Sequence, residues 1–417
     1  MQELKKCIVC GKEVEQLFDL GYMYPSMFID KLEDTAKFKK EPFIVNRCEC
    51  GMVQLKYAYE YDTMFKDYWY RSSTNSQMVN ALKDIVDSIY VQDQVDFAYD
   101  EDRKLVWVDI GNNDGCLSRL AKQEYDCFMV GVDPALELNN TGNDVFINDY
   151  FDAEPVLKAL DGRKADLVSA VACFYDLQNP HKFLQDVVKV MDEYGIFVVQ
   201  LNDMWGKLTK NTFDDFVREH VAYYSLEVLD NLFKMNGLEI FDFEYNYTNG
   251  SSLRVYAGKT GKYNRKEHVD HEIESQQLFL DRSHLEFWFE RTKNNMHVLK
   301  EELTKLKEQG KKIGLIGAST KGNTTLMFSG LDNSIIDYAL EVSPFKLDKY
   351  CLGSNIQILD EKLVMKTGKP DVLVAMVWHF KETFLKVFRD FINNGGVLVF
   401  PFPEPHMVTN NGTVPLE

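Results

Sequence analysis

The sequence predicts an α/β fold, and three observations carry that expectation. Residues 105–134, LVWVDIGNNDGCLSRLAKQEYDCFMVGVDP, pass from an apolar run through a glycine loop and an amphipathic segment into a second apolar run that ends in Asp133 and Pro134. The same plan returns over residues 311–331, KKIGLIGASTKGNTTLMFSGL. Further apolar runs at 145–147, 166–172 and 196–201 alternate with helical segments such as 183–191. Alternation of this kind gives parallel sheets with helices on their faces. The chain is therefore divided into a small N-terminal domain with a tyrosine-rich link (residues 1–75), a central doubly wound, Rossmann-like sheet (76–262) and a second Rossmann-like α/β domain (263–417).

The first loop contains Asp109, Gly111, Asn112, Asn113, Asp114 and Gly115, with Leu117, Leu120 and Ala121 at helical spacing behind it. It is not GxGxxG, the pattern that brings a diphosphate against a helix N-terminus. Acidic and amide groups crowd the turn, repelling a diphosphate but suiting a cation or an amino-acid zwitterion. An acid at the end of the second strand can accept hydrogen bonds from both ribose hydroxyls. The ligand this chemistry predicts is S-adenosylmethionine, with its sulfonium and amino acid near the loop and its ribose on Asp133. Asp149 and Tyr150 follow the run at 145–147, where an acid could meet the adenine amino group. A D-x-G-x-x-x-G loop alone is also an ordinary strand-to-helix turn; Asp133 is what favours the cofactor.

Composition narrows the function classes. A chain of 417 residues accommodates two to three domains, and 45% hydrophobic with 27% charged residues describes a globular protein. The formal net charge of -18 leaves no basic surplus to neutralise a nucleic-acid backbone, although a few local Lys and Arg residues could still hold a small anion. No apolar run reaches the length of a membrane span, and MQELKKCIVC has no signal-peptide core, so a cytoplasmic enzyme without a membrane or nucleic-acid partner is expected, as a monomer or small homo-oligomer. Without a secretion signal, cysteines point to reduced thiols or metal. Cys7 and Cys10 form C-x-x-C before Gly11, and Cys48 and Cys50 form a tighter C-x-C before Gly51. Four soft ligands of this type suit a closed, tetrahedral, structural zinc site.

Beyond the cysteines, YDTMFKDYWYRSSTNSQM concentrates Phe65, Tyr68, Trp69 and Tyr70. Most of these rings read as packing, and Tyr68 or Tyr70 could present a phenol to a ligand. A helix is expected over 75–89, with the polar stretch 91–102 leading into the first strand. After the fifth strand, which ends near Asn202, FDDFVREHVAYYSLEVLDNLF places Glu219 beside His220 and Tyr224 just before Ser225, a good N-cap. Histidine titrates near working pH and is the usual general base. A neighbouring carboxylate could orient its ring or meet the substrate, and an E-H pair at a helix entrance is also a common surface feature. Arg254 alternates with Leu253 and Val255, so it could contact an anion or face solvent. In the C-terminal half a long helix over 284–309 precedes the second glycine loop, whose Ser319, Thr320, Lys321, Gly322 and Asn323 are basic and hydroxylated. Backbone N–H groups there, with Lys321, could receive a phosphate. Lys346 offers a second cation, and His379 in VWHF lies just past a strand end.

These segments together resemble the sugar C-methyltransferase family, S-adenosylmethionine-dependent enzymes that methylate a carbon of nucleotide-activated keto-deoxysugars. The N-terminal C-x-x-C with CGMVQL is similar to that family's zinc domain, YWYRSSTNSQM to its tyrosine-rich link, and VDIGNNDG with GVDP to its cofactor motifs. CFYDLQNPHKFL, FDDFVREHVAYYS, NGSSLRVY, GASTKGNT and WHF continue the resemblance in order along nearly the whole chain. It implies that His220 acts as general base supported by Glu219, and that a tyrosine of the YWY segment, taken as Tyr70, and the region of His181 face the substrate. It agrees with Asn202, Tyr224, Arg254, Lys321, Asn323, Lys346 and His379 as further contacts to a nucleotide-diphosphate keto-sugar. The family commonly reads tyrosine-histidine-glutamate-histidine where this chain has Val217, Arg218, Glu219 and His220, so a phenol is lost and a charge gained. Leu352–Gly353 likewise stands for proline-glycine. The expected reaction is methylation alpha to a ketone through a base-generated enolate. The alternatives are methyl transfer to oxygen or nitrogen of a nucleotide sugar or related small molecule, and a binding protein that retains the scaffold without turnover.

Overall fold

A computed structural model describes residues 1–66, 70–100, 103–136 and 140–416. The chain forms two compact units whose segments interleave. The first comprises Met1–Glu15, Arg47–Gly206 and Val221–Leu280, and the second Gln16–Asn46, Lys207–His220 and Asp281–Glu417. Among the described residues, no helix is long and apolar enough to cross a membrane.

The first unit is built on a seven-stranded sheet, in the order Leu238–Asn246, Ser252–Lys259, Met191–Leu201, Ala165–Val171, Leu105–Ile110, Cys127–Val132, Val145–Ile147. The five strands from Met191–Leu201 to Val145–Ile147 run parallel, and the remaining two form an antiparallel hairpin beside them. Leu105–Ile110 is central and buried along its length, so both its faces are apolar. Val106, Val108 and Ile110 enter one core cluster, while Leu105 and Trp107 enter the cluster on the other face. Strand order reverses between Leu105–Ile110 and Ala165–Val171, and ligands of such sheets sit beyond the carboxyl ends of the strands at that switch point.

Helix starts follow local chemistry. Asn75 caps Ser76–Val86 by accepting from the amides of Gln77 and Met78, and Ser225 caps Leu226–Met235 by accepting from Val228 N at 3.3 Å. The stretch expected to be a polar lead-in to the first strand is instead largely a second helix, Ile89–Asp100. Val91 and Val95, four apart, bury one side of it, a stripe too narrow to stand out among the acids around it.

The second unit repeats the plan with a sheet in the order Ile358–Asp360, Tyr338–Glu341, Ile313–Ile316, Val372–Ala375, Val397–Phe400, His406–Thr409, Gly412–Pro415. Its first five strands are parallel and the last two antiparallel. The long helix Arg282–Glu308 starts at Asp281, whose carboxylate accepts from His284 N at 2.9 Å. Its Trp288 and Phe289 pack with Phe18, and Phe18 also meets Phe216. Phe213 contacts Phe328 and Phe402. These rings fix residues 207–220 within the unit.

Candidate functional sites

The loop after Leu105–Ile110 is shaped by three consecutive demands. Gly111 and Asn113 take left-handed backbone angles, φ 71° and 53°, and Gly115 does so again at φ 76° immediately before the helix Cys116–Glu124. A Cβ on Gly115 would lie 2.1 Å from the carbonyl oxygen of Thr141, so only glycine lets residues 140–143 approach. That approach is used, because Asn140 Nδ2 and Asn143 Nδ2 donate to Asn112 Oδ1 at 2.6 and 2.8 Å. Asn112 Nδ2 in turn donates to Asp109 Oδ2 at 2.6 Å, and Ser169 Oγ donates to Asp109 Oδ1 at 2.6 Å. Burial pushes the Asp109 carboxyl up to about 6 against those two hydrogen bonds.

Asp133 stands at the end of the second strand, where its Oδ2 accepts from Asn113 N at 2.8 Å and its Oδ1 from Ala135 N at 2.9 Å. Burial raises its pKa, opposed by these amides and by the charge of Arg71. Pro134, half-buried, turns the chain away behind it. Residues 70–73 come up to the loop from the link. Asn113 Nδ2 donates to Tyr70 O at 3.0 Å, Ser72 N to Asn113 Oδ1 at 2.9 Å, and the Ser73 hydroxyl to Asp114 Oδ2. The Tyr70 phenol accepts from Asn75 Nδ2 at 3.2 Å, and burial pushes it up to about 12, so it keeps its proton as a donor. Tyr68 lies outside the described residues. Asp149 is exposed and accepts from Tyr150 N, while the Tyr150 hydroxyl reaches Asp62 at 3.0 Å.

In the same unit the thiols of Cys7, Cys10, Cys48 and Cys50 all lie within 4.8 Å of one another. The Cys7–Cys50 and Cys10–Cys48 sulfur pairs are 3.6 and 3.4 Å apart. A tetrahedral zinc with bonds of about 2.3 Å needs sulfurs roughly 3.8 Å apart, so the donor set fits that ion. Gly11 and Gly51, both at positive φ, close the two knuckles, and the amides of Val9 and Cys10 point at Cys7 Sγ at 3.4 Å. His181 belongs to this region. Its Nε2 meets Val9 O at 2.6 Å and its Nδ1 meets Asn236 Nδ2 at 2.9 Å, so both ring nitrogens tie the knuckle to neighbouring helices.

Arg254, expected as an anion contact or a solvated strand residue, is neither. It is 1% exposed and is satisfied by Glu244 at 2.7 Å, Asp84 at 2.9 Å and Gln200 Oε1 at 2.8 Å. Its strand is covered by the helix Ser76–Val86, so the face opposite the apolar side is itself buried, and a charge there must be paired. Asn202 Nδ2 donates to Ser251 O at the end of its strand. Tyr224 is fully buried against Phe174, and its hydroxyl has no hydrogen-bond partner among the described residues.

The second unit holds His220. The backbone turns tightly here, with Val217 N donating to Asp215 O at 3.0 Å and His220 N to Val217 O at 3.2 Å. The His220 ring folds back so that Nδ1 meets the same Asp215 carbonyl at 3.0 Å and the Asp215 carboxylate at 3.3 Å. That carboxylate also pairs with Lys207 at 2.6 Å and Lys321 at 2.7 Å. Burial would raise its pKa, yet the two lysines and His220 hold it well below the usual carboxylate range. Lys321, expected to be a phosphate ligand, is thus already paired. Burial opposes its charge, but Asp215 and Asp214 more than offset that. The carboxylate at His220 Nδ1 is Asp215, whereas Glu219 interacts with the ring through space and has Oε2 buried without a partner among the described residues. Burial raises the Glu219 pKa. Asp214 accepts from Trp378 Nε1 at 3.0 Å, and burial raises it too. Burial and the charge of Lys321 push His379 down to about 3, leaving a neutral ring.

Arg218 does not place its charge in a ligand site. Its guanidinium donates to the carbonyls of Pro42, Met23 and Glu41 and lies over Phe43. Asn323 donates to Leu352 O at 3.1 Å and Met27 O at 3.4 Å, and Lys346 reaches Ala318 O at 2.7 Å and Glu341 at 3.0 Å. Gly322 N donates to the Ser319 cap and Ala318 N to Glu341 Oε2. The side chains of Lys321, Asn323 and Lys346, read as phosphate ligands, are therefore engaged by the protein itself.

Comparison with known proteins fits two domains to the chain. A family model described as a methyltransferase domain matches residues 88–242, and one described as the C-methyltransferase C-terminal domain matches residues 247–403. C-methyltransferase NovU of Streptomyces niveus is 28% identical over 384 residues, covering 88% of this chain and 87% of NovU. The chain is therefore similar to C-methyltransferases over most of its length. Among solved structures, magnesium protoporphyrin IX methyltransferase of Synechocystis PCC 6803 with bound SAH has a TM-score of 0.32 and 15% identity, covering 46% of this chain and 90% of that one. The complex of the Haloferax volcanii Trm112 methyltransferase activator with a methyltransferase has a TM-score of 0.31 and 14% identity, covering 37% of this chain and 82% of the other.

Several residues that shape these sites were not singled out in the sequence. Asn140 and Asn143 support the loop from 27 or more residues away, and the signal for them was the glycine at 115 that makes room. Asp215 stands five residues before His220 in FDDFVREH, and its two lysine partners come from distant positions that no spacing rule connects.

Proposed function

We propose that this chain uses S-adenosylmethionine to methylate the carbon alpha to the ketone of a nucleotide-diphosphate-linked keto-deoxysugar. The observation that carries the reading is Asp133. It is a buried carboxylate at a strand end, fixed by two backbone amides with acceptor capacity left over, beside a loop of acids and amides. Such a group suits paired ribose hydroxyls, and Asp109, Asn113 and Asp114 suit a cationic amino-acid ligand better than a phosphate. The likeness to C-methyltransferase NovU and to the C-methyltransferase C-terminal domain supports carbon over oxygen or nitrogen as the methyl acceptor.

His220 takes the proton from the alpha carbon, and the electron pair moves onto the ketone oxygen as an enolate. A positioned base contributes roughly 10²–10⁴-fold. Tyr70, held in its protonated form, is the proposed donor to that oxygen, and buried Glu219 the proposed contact to the sugar. S-adenosylmethionine, when bound, supplies the electrophilic methyl group. The four cysteines are proposed to hold a structural zinc ion that clips the N-terminal knuckles and takes no part in the reaction.

The decisive experiment is deuterium wash-in at the alpha carbon of a nucleotide-diphosphate keto-deoxysugar in D2O without the methyl donor. His220→Ala is expected to lose exchange by about 100-fold or more. Exchange at the normal rate would remove His220 from the mechanism. A carbon–methyl cross-peak in the NMR spectrum of the product separates methylation at carbon from methylation at oxygen or nitrogen.

A further inference from the structure

His220 does not stand alone. Its Nδ1 lies between two oxygens of one residue, the Asp215 carbonyl at 3.0 Å and the Asp215 carboxylate at 3.3 Å. Both are acceptors, so the ring proton of the neutral imidazole belongs on Nδ1 and the basic lone pair on Nε2. The carboxylate is 4% exposed as a residue and is shared with Lys207 and Lys321, whose side chains are 3% and 20% exposed. Two lysines at this depth would oppose a third positive charge on the ring. Asp215 is the carboxylate that pairs directly with both of them.

Resting on the reading of His220 as base, we propose that Asp215 is its positioning residue: the carbonyl fixes the proton on Nδ1, and the carboxylate, set between the imidazole, Lys207 and Lys321, governs how strongly Nε2 takes up a proton. The chemistry is a balanced proton transfer. The carbon–hydrogen bond of the substrate breaks, an N–H bond forms at Nε2, the electron pair stays with the substrate as an enolate, and the imidazolium charge is met by Asp215. The other charged groups around this pair are Asp214, which faces Trp378 and Lys321, Glu219, which acts on the ring through space, and Arg218, which is held by three backbone carbonyls. His379 stays neutral beside Lys321 and adds no charge.

The test uses the full chain with 15N-labelled histidine and long-range proton–nitrogen correlation spectra, the His220 signals being assigned by their loss in His220→Gln. The neutral ring is expected as the Nδ1–H tautomer. Asp215→Asn keeps the carbonyl but removes the anion, so the His220 titration should move down by about 1–3 pH units. Lys321→Met removes an opposing cation and should move it up by about one unit, and the double variant Asp215→Asn/Lys321→Met should fall between the two. Opposite shifts from two substitutions in one cluster are not produced by mere loosening of structure, and Lys321→Met keeps the test alive if Asp215→Asn fails to fold. An Nε2–H tautomer, or a titration unmoved in every folded variant, overturns the proposal and leaves His220 as base untouched. Normal wash-in by His220→Ala removes the base itself, and with it any part for Asp215 in catalysis.

Discussion

Asp133 and Glu341 occupy the same place in two sheets that share the order of their five parallel strands. Each closes the second strand of a strand–loop–helix–strand motif, and each is 8% exposed. Their surroundings differ in one respect that decides what each can do. A carboxylate offers about four acceptor positions. Glu341 fills them within the protein, accepting from Val342 N, Ser343 N, Ala318 N and Lys346 Nζ. Among the described residues, Asp133 accepts only from Asn113 N and Ala135 N. The first motif has thus kept a half-satisfied acid at its strand end, while the second has used an equivalent acid, with a lysine, to close its own loop. The parallel strand order repeats in the two units, but ligand capacity is set by how much of the strand-end acid the protein consumes.

The largest expected effect tests that difference directly. Asp133→Ala should weaken S-adenosylmethionine binding by about 100-fold or more, since hydrogen bonds to a charged group contribute about 1.5–3 kcal/mol each. Glu341→Ala should leave that affinity within about twofold and lower the thermal midpoint instead, because it removes the acceptor of three amides and the carboxylate partner of Lys346. Titration calorimetry with the methyl donor separates the two outcomes. Equal losses of affinity in both variants would dissolve the distinction between the motifs.

A second contrast lies in the first strands. Leu105–Ile110 carries Asp109 in its buried length, whereas Ile313–Ile316 is wholly apolar. Asp109 titrates at about 6 in the folded chain against an ordinary 3.8, so the folded state binds the proton more tightly than the unfolded state does. Stability from this group is therefore full below about pH 4 and is lost as pH rises towards 6, a change of about 3 kcal/mol. Relative to Asp109→Asn, wild-type stability measured by urea unfolding should decline by about that amount between pH 4 and 7. A constant difference across the range would mean that the buried acid is not raised. Under the proposed function the same acid serves a cationic ligand, which gives a reason for the loop to carry a group that lowers stability at neutral pH.

Much of this was readable in the sequence because its causes are local. Apolar runs gave the parallel strands, the glycines gave the loops, and paired cysteines gave the sulfur cluster, since period and spacing act over a few residues. What escaped was set by partners far along the chain. Arg254 looked like an anion contact or a solvated strand residue until the helix Ser76–Val86 covered its strand and supplied Asp84. Lys321 and Asn323 looked like donors for a phosphate until Asp215, Met27 and Leu352 took them. Val91 and Val95 made a helix of a stretch whose charges suggested a linker. A charged or amide side chain shows its chemistry in the sequence, but whether the protein has already used that chemistry is a tertiary fact.

The smallest effect concerns the glycines that let each loop meet its helix. Gly115 is left-handed, and an added Cβ would lie 2.1 Å from a backbone oxygen, that of Thr141, which cannot retreat without moving Asn140 and Asn143 off Asn112. Alanine there should cost about 2–3 kcal/mol, combining the left-handed penalty with the displaced loop, and should weaken the methyl donor as well. Gly322 has no positive φ and lies in the first turn of Thr320–Ser329, where its Cβ would press on Met376 Cβ and Ser319 Oγ at 2.9 Å. Alanine is the better helix former by about 1 kcal/mol, which offsets most of a disturbed serine cap. Gly322→Ala should therefore change unfolding free energy by about 1 kcal/mol or less and leave donor affinity unchanged. If Gly115→Ala proved as mild as Gly322→Ala in both measurements, the close approach of residues 140–143 would not be what shapes the first loop, and Asp133 would have to hold its ligand without that support.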